Sequence, residues 1–65
     1  MNIHIIVNHY REITTGNYVS RTVCGKTFEE ACDLAIRAAE KDEASRKLLL
    51  VMRSNKTREV SHETL

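Results

Sequence analysis

The side chains with the greatest capacity for chemistry in this chain are two cysteines and three histidines: Cys24, Cys32, His4, His9 and His62. Thiolates and imidazoles are ligands that zinc prefers, so ligand type alone would allow a metal site. The spacing argues against one, because the chain has neither a CxxC pair nor an HxxxH pair. In a reducing compartment we expect two buried free thiols. The sequence therefore predicts no metal and no cofactor.

Catalytic motifs are also missing from the sequence. It has no P-loop, no glycine-rich dinucleotide turn, no HExxH and no nucleophile elbow. His4 and His9 lie five positions apart, so on a strand they point to opposite faces and cannot act as a pair. A chain of 65 residues also rarely encloses a pocket for a small substrate. We expect a binding protein and not an enzyme.

Length and composition indicate one small folded domain that spans residues 1–65. Hydrophobic residues make up 42% and charged residues 29% of the chain, a balance typical of globular domains and unlike that of disordered segments. The net charge of +1 gives no strong non-specific attraction to nucleic acid. We recognise no signal peptide and no apolar run of about 20 residues, so a cytoplasmic protein without membrane contact is expected.

Residues 3–24 predict a β-hairpin. Residues 3–13 are rich in β-branched side chains and alternate between apolar and polar, which is typical of a strand. Thr14–Asn17 predicts the turn, because Gly16 and Asn17 both adopt positive φ at little cost. Alternation resumes over residues 18–24, which predicts the second strand of the hairpin.

A helix is predicted to follow, beginning after Thr27. Thr27 and Glu30 form a capping-box pattern, in which the hydroxyl accepts a hydrogen bond from the third helical N–H. At helical spacing, one apolar stripe is predicted to face the core. Its members are Phe28, Ala31, Leu34, Ala35 and Ala38, with Cys32 and Ala39 beside it.

The segment after the helix can be interpreted in two ways. The apolar run within residues 47–53 is compatible with a helix extension or with a strand, and no glycine marks a helix C-terminus before it. We favour a strand, because a lone hairpin is marginally stable and a third strand would complete a sheet. A turn at 54–57 and a short fourth strand at 58–61 are then predicted. The fold class is α+β, an antiparallel three- to four-stranded sheet with one helix on one face, ββαβ(β).

Strict alternation divides the strand residues between two faces. The face under the helix is predicted to hold Ile3, Ile5, Val7, Val19, Val23, Leu48, Leu50 and Met52. The opposite face would then expose apolar and aromatic side chains, and such patches mark interaction sites. The candidate partner-binding residues are Ile6, Tyr10, Tyr18, Arg21, Leu49, Val51 and Arg53. Four further basic residues, Arg11, Lys47, Lys56 and Arg58, are candidates for contact with a phosphate backbone.

One stretch of the sequence carries a resemblance to a known group of proteins. The hairpin leads into Gly25-Lys26-Thr27-Phe28-Glu29-Glu30-Ala31, which opens an alanine-rich helix that a hydrophobic strand follows. This order, over residues 3–53, resembles the small ββαβ proteins with which phages block host machinery, including inhibitors of host RNA polymerase and compact anti-CRISPR proteins. The resemblance implies steric inhibition by docking on a larger target, and it implies no site residue.

These features lead to three functional hypotheses. The first is a protein-binding inhibitor or adaptor, encoded by a phage or mobile element, whose partner is a larger host protein or nucleoprotein complex. The second is a nucleic-acid-binding module that uses the basic, tyrosine-bearing sheet face. The third is a structural homodimer that buries the same patch between two copies.

Overall fold

The computed structural model describes residues 1–59, which form three strands and one helix. The elements are β1 (Asn2–Glu12), β2 (Tyr18–Gly25), α1 (Phe28–Arg46) and β3 (Leu48–Glu59). β1 is the central strand and pairs antiparallel with both β2 and β3, and α1 packs on one face of this sheet. The predicted α+β class is confirmed. Within residues 1–59, no helix has the length and apolar character needed to cross a membrane.

The third strand is longer than the sequence predicts. The residues assigned to a turn at 54–57 continue the strand and pair with β1 from Ile6 against Asn55 to Asn2 against Glu59. The predicted turn is therefore wrong, and Arg58 and Glu59 extend β3 instead of opening a fourth strand. Residues 60–61 of that predicted strand lie outside the described residues.

The hairpin between β1 and β2 closes through a four-residue loop at 13–16. The Glu12 N–H donates to the Asn17 carbonyl oxygen over 2.8 Å, and the Gly16 N–H donates to the Glu12 carbonyl oxygen over 2.8 Å. Gly16 has a φ of 78°, a conformation that glycine adopts without a Cβ penalty. This loop fixes the register of the sheet, because Glu12 must lie opposite Asn17.

The helix begins and ends with identifiable caps. The Thr27 hydroxyl accepts a hydrogen bond from the Glu30 N–H at 3.1 Å, as the sequence predicts. At the other end Lys47 takes the left-handed conformation, with φ 51° and ψ 49°, and so serves in place of the glycine usual at this position. The Lys47 carbonyl oxygen also accepts from the Ile13 N–H at 3.1 Å, which ties the helix end to the hairpin loop.

The core lies between α1 and one face of the sheet and forms two clusters. Near the start of the helix, Ile6 packs against Ala31 and Ala35, and near its end Tyr10 packs against Ala39 and Leu48. Small helix residues let the helix lie close to the sheet, so the larger strand side chains fill the space between them. Gly25 is part of this fit, because a Cβ at that position would stand 2.6 Å from the Ala31 nitrogen.

The prediction of which β1 residues lie under the helix is wrong. Ile6 and Tyr10 are each 1% exposed beneath α1, whereas Ile3, Ile5 and Val7 are only half-buried on the opposite face. The predictions for β2 and for the start of β3 are confirmed, since Val19, Val23, Leu48 and Leu50 all join the core clusters.

The predicted helix stripe is correct only for its alanines. Ala31 and Ala35 are buried, but Phe28 is 50% and Leu34 40% exposed. Ala38 is half-buried, while Ala39, predicted to lie beside the stripe, is buried. The helix therefore presents methyl groups and not large side chains to the sheet.

A β-bulge in β3 moves Met52 to the other face. The pairing shifts between His9, which lies opposite Met52, and Tyr10, which lies opposite Leu50. Val51 is the extra residue on β3, so the alternation of side chains changes phase there. Leu50 thus contributes to the core, whereas Met52 is 57% exposed and the prediction that it is buried is wrong.

Candidate functional site

The open sheet face is the face of the sheet opposite α1, and the strand register defines its members. Directly paired residues point to the same side of a sheet, and alternate residues of β1 point away from the buried Ile6 and Tyr10. From β1 the open sheet face contains Ile3, Ile5, Val7, His9 and Arg11. From β2 it contains Tyr18, Ser20, Thr22 and Cys24, and from β3 it contains Leu49, Met52, Ser54, Lys56 and Arg58.

Large apolar side chains on the open sheet face are accessible to a partner. Tyr18 is 74% exposed, and Leu49 and Met52 are each more than half exposed. The aliphatic row of Ile3, Ile5 and Val7 runs along the centre of the face and is half-buried by its neighbours. A contiguous apolar area of this kind is typical of an interaction surface.

Charge on the open sheet face has one sign. Arg11, Lys56 and Arg58 belong to it, and none of its other members carries a carboxylate. Glu12 and Glu59 lie opposite Leu48 and Asn2, which places both on the helix-facing side of the sheet. Within residues 1–59 the three cations make no ion pair with a carboxylate. The open sheet face therefore combines apolar contact area with unneutralised positive charge.

The helix-facing side holds a buried polar network centred on Asn8. Its side-chain amide, fully buried, donates to the Tyr10 hydroxyl at 3.1 Å and to the Ala35 carbonyl oxygen at 2.8 Å. Its side-chain oxygen accepts a 2.6 Å hydrogen bond from Nε of Arg53. Among the described side chains, no buried nitrogen or oxygen lacks a partner. Because each group is satisfied, the network costs little and fixes one arrangement of helix on sheet.

A second charged contact joins β2 to the helix. Arg21 donates to both carboxylate oxygens of Asp42, at 2.5 and 2.9 Å, and Asp42 is buried. These hydrogen bonds hold the pKa of the Asp42 carboxyl below its usual range, although burial opposes the effect. Burial raises the pKa of the Tyr10 hydroxyl, and the hydrogen bond from the Asn8 amide offsets this in part. At neutral pH the Arg21–Asp42 ion pair and the hydrogen bonds of Asn8 therefore hold the helix against the sheet.

The structure separates the seven predicted partner-binding residues. Tyr18 and Leu49 lie on the open sheet face, and Val51 is exposed at the bulge beside it. The predicted placement of Ile6 and Tyr10 on an exposed face is wrong, because both are core residues under α1.

Arg21 and Arg53 also lie away from the face to which they were assigned. Both are cross-strand neighbours of Asn8 on the helix-facing side, where Arg21 binds Asp42 and Arg53 binds Asn8. Their guanidinium groups are held in intramolecular contacts, so their predicted placement beside the interaction face is wrong.

Three of the four basic residues proposed for phosphate contact share one face of the sheet, although Arg11 lies at the opposite end from Lys56 and Arg58. Arg11, Lys56 and Arg58 share the open sheet face, whereas Lys47 lies at the end of the helix. The structure thus brings three of these cations to the same surface as Tyr18 and Leu49.

The cysteines are less buried than the sequence predicts. Cys24 is exposed on the open sheet face opposite Ile5, and Cys32 is half-buried beside the core on the helix. Both are free thiols, so only the expectation of burial is wrong. Within the part of the chain that the structure describes, no three His, Cys, Asp or Glu side chains come together as metal ligands.

One shallow hollow lies at the hairpin end of the molecule and touches the open sheet face. It has a volume of about 410 Å³ and is lined by Arg11, Glu12, Ile13, Thr14, Thr15, Gly16 and Leu49. Arg11 and Leu49 belong to both surfaces, so the hollow extends the open sheet face toward the loop. It offers a partner a recess with one guanidinium and one carboxylate.

The sequence contained a signal for the correct faces that the predictions did not use. A loop with an even number of residues pairs odd positions of one strand with even positions of the next. The predicted four-residue turn at 14–17 already had this parity, so Ile5 could not share a face with Val23. Met52 was missed for another reason, because nothing in the sequence marks the bulge at Val51.

Comparison of the chain with protein-family models, with curated proteins and with solved structures found no match.

Proposed function

We propose that this chain is a small protein-binding inhibitor or adaptor, encoded by a phage or mobile element. It acts in the cytoplasm by docking its open sheet face on a larger host protein or nucleoprotein complex. The observation that carries the proposal is a sheet with one face filled by α1 and the other left apolar and accessible. Binding blocks or bridges the target without a chemical step.

The exposed apolar side chains supply the main driving force for docking. Full burial of a large aliphatic side chain contributes about 1.5–3 kcal/mol. Leu49 and Met52 are 53% and 57% exposed, so each retains roughly half of that burial for a partner. Tyr18 adds an aromatic ring of the residue type that often anchors interfaces. Tyr18 and Leu49 flank Arg11 at the hairpin end of the face, and Met52 lies nearer its centre. Apolar contact area combined with charge at its edge is typical of a protein interface.

Nucleic-acid binding is the second candidate, favoured by the position of three cations on the same face as Tyr18. Sheet surfaces that bind single strands stack bases on aromatic side chains along their central strands. Here the central strand presents Ile3, Ile5, Val7, His9 and Arg11 on that face, and its three aliphatic side chains cannot stack a base. The aliphatic centre supports a protein partner over a nucleic-acid strand.

Self-association through the same face is the third candidate. Two open sheet faces brought together would oppose Arg11, Lys56 and Arg58 with the same cations of the second copy. Like charges in contact weaken such an arrangement unless anions intervene. The charge pattern therefore favours a different surface as the partner.

Capture from a bacterial lysate with the tagged chain, with and without nuclease, tests the proposal when matched variants are compared. Leu49→Glu places a charge on the open sheet face, and Ile36→Glu places the same charge at an exposed helix position. We expect Leu49→Glu to lose a nuclease-resistant, stoichiometric partner that wild type and Ile36→Glu both retain. Retention by Leu49→Glu would place the interface elsewhere, and release by nuclease would favour the nucleic-acid candidate.

A further inference from the structure

We infer that the occupant of the open sheet face is an acidic amphipathic helix of the partner protein. This inference rests on the proposed function and adds the partner's chemistry and shape. It follows from the arrangement of the cations, the dimensions of the face, and the way in which α1 covers the opposite side.

The cations stand at the two ends of the open sheet face. Arg58 lies opposite Ile3 and Lys56 opposite Ile5, whereas Arg11 lies at the far end of β1 beside Leu49. Ile3 and Arg11 are eight residues apart on β1, which corresponds to about 26 Å along the strand at the usual rise per residue. Between them Val7 and Met52 are uncharged. A complementary surface therefore has an apolar centre with carboxylates toward both ends.

A single helix fits these dimensions. About 26 Å corresponds to about 17 helical residues, and a helix is about 10–12 Å wide. Three strands span about 10–14 Å, so one helix covers the width of the sheet. The opposite face of the sheet is already covered by a single helix, since α1, with 19 residues, lies across it. A partner helix on the open sheet face would complete a helix–sheet–helix sandwich, in which both sheet faces are covered.

Charge complementarity requires a negatively charged partner helix. Arg11, Lys56 and Arg58 are exposed, and within residues 1–59 none of them is paired with a carboxylate. Glutamate or aspartate at the ends of a partner helix would pair with them, whereas lysine would be repelled. Each exposed ion pair changes Kd by up to about fivefold, so three together shift it by about tenfold or more.

The test is an NMR titration of the ¹⁵N-labelled full chain with three probes. The first is an 18-residue amphipathic helical peptide with leucines on one side and glutamates elsewhere. The second is the same peptide with lysine in place of glutamate, and the third is a thymidine oligonucleotide of twelve nucleotides. We expect the glutamate peptide to bind at least tenfold more tightly than the lysine peptide. The shifted amides should include Val7, Leu49 and Met52, and binding should weaken as salt is raised.

Two triple variants separate local charge from net charge. Arg11→Glu/Lys56→Glu/Arg58→Glu reverses the cations of the open sheet face, and Lys26→Glu/Arg37→Glu/Lys41→Glu makes the same net change around the helix. The first should lose glutamate-peptide binding by about tenfold or more, while the second should stay within about threefold of wild type. Arg11 lies against Gly16, so the charge reversal there is the change most able to disturb the hairpin loop. If the circular dichroism spectrum of the first triple variant differs from that of wild type, Arg11→Gln/Lys56→Gln/Arg58→Gln removes the same charges with a milder change.

Several outcomes would overturn the inference. These are equal affinity for the two peptides, no binding of either, tighter binding of the oligonucleotide, and shifts outside the open sheet face. Self-association that buries Leu49 would assign the face to a second copy. If the lysate partner depends on Leu49 but survives the open-face charge reversal, this inference fails while the proposed function stands. If Leu49→Glu retains the partner, the proposed function itself fails.

Discussion

We expect truncation of the Asn8 side chain to cause a large loss in the free energy of unfolding for the few atoms that it removes. Its side chain is fully buried and makes three hydrogen bonds, to the Tyr10 hydroxyl, the Ala35 carbonyl oxygen and the Arg53 guanidinium. Asn8→Ala deletes all three, and none of the partners can follow the shortened side chain into the core. The Tyr10 hydroxyl then remains buried without the amide that it accepts from.

The magnitude follows from the chemistry of these contacts. A hydrogen bond to a charged group contributes about 1.5–3 kcal/mol, and a neutral one about 0.5–1.5 kcal/mol. Since the Ala35 carbonyl is also a helix acceptor, we expect Asn8→Ala to lower the free energy of unfolding by about 3 kcal/mol in total. A domain of 65 residues has roughly 3–10 kcal/mol available. The variant is therefore expected near the limit of folding.

Urea denaturation followed by circular dichroism measures this loss. At an m value of about 1 kcal/mol/M, the midpoint should fall by about 3 M. Asn55→Ala is the matched control, because Asn55 is an exposed asparagine on β3, and it should change stability by less than about 0.5 kcal/mol. A double-mutant cycle of Asn8→Ala with Arg53→Ala should give a coupling of at least about 1 kcal/mol. A loss below about 1 kcal/mol for Asn8→Ala, or a coupling near zero, would show that the hydrogen bonds of Asn8 do not stabilise the fold as argued.

Two further variants test other parts of the same packing. Gly25→Ala should destabilise the fold by about 1–3 kcal/mol in urea denaturation, because its Cβ would stand 2.6 Å from the Ala31 nitrogen, whereas the exposed Cys24→Ala should be nearly neutral. Stability equal to wild type for Gly25→Ala would show that the helix can lift from the sheet there. Asp42→Asn should lower stability most at neutral pH. Because the pKa of Asp42 is lowered in the folded state, its contribution is complete above about pH 4 and is lost as pH falls through that lowered pKa. The gap in unfolding free energy to wild type should therefore narrow toward pH 2, and a gap independent of pH would contradict a charged contact with Arg21.

The order of elements could be predicted from local sequence signals. The hairpin was indicated by β-branched alternation around Gly16, and the helix start by Thr27 with Glu30. The third strand was indicated by its apolar run, although Lys47 ends the helix without the glycine that would have marked the boundary. These signals depend on neighbours within a few residues, so they can be interpreted without knowledge of the tertiary structure.

The candidate site could be predicted only in part, because it depends on which face of the sheet the helix covers. Both faces of β1 offer apolar side chains, Ile3, Ile5 and Val7 on one and Ile6 and Tyr10 on the other. Alternation alone does not rank these two sets. The longer aliphatic row suggested the first, and the structure buries the second.

The sequence by itself thus determined the antiparallel hairpin, the start of the helix and the α+β class, because propensities, caps and turns act locally, whereas the full length of β3 depends on its pairing with β1. Tertiary structure decided the buried face. Gly25 admits the helix close to the sheet at one end, and Asn8, Arg53, Arg21 and Asp42 satisfy one another on the same side. The β3 bulge then sends Met52 to the open side. These choices depend on contacts between residues as many as 45 positions apart, and such contacts exist only once the chain has folded.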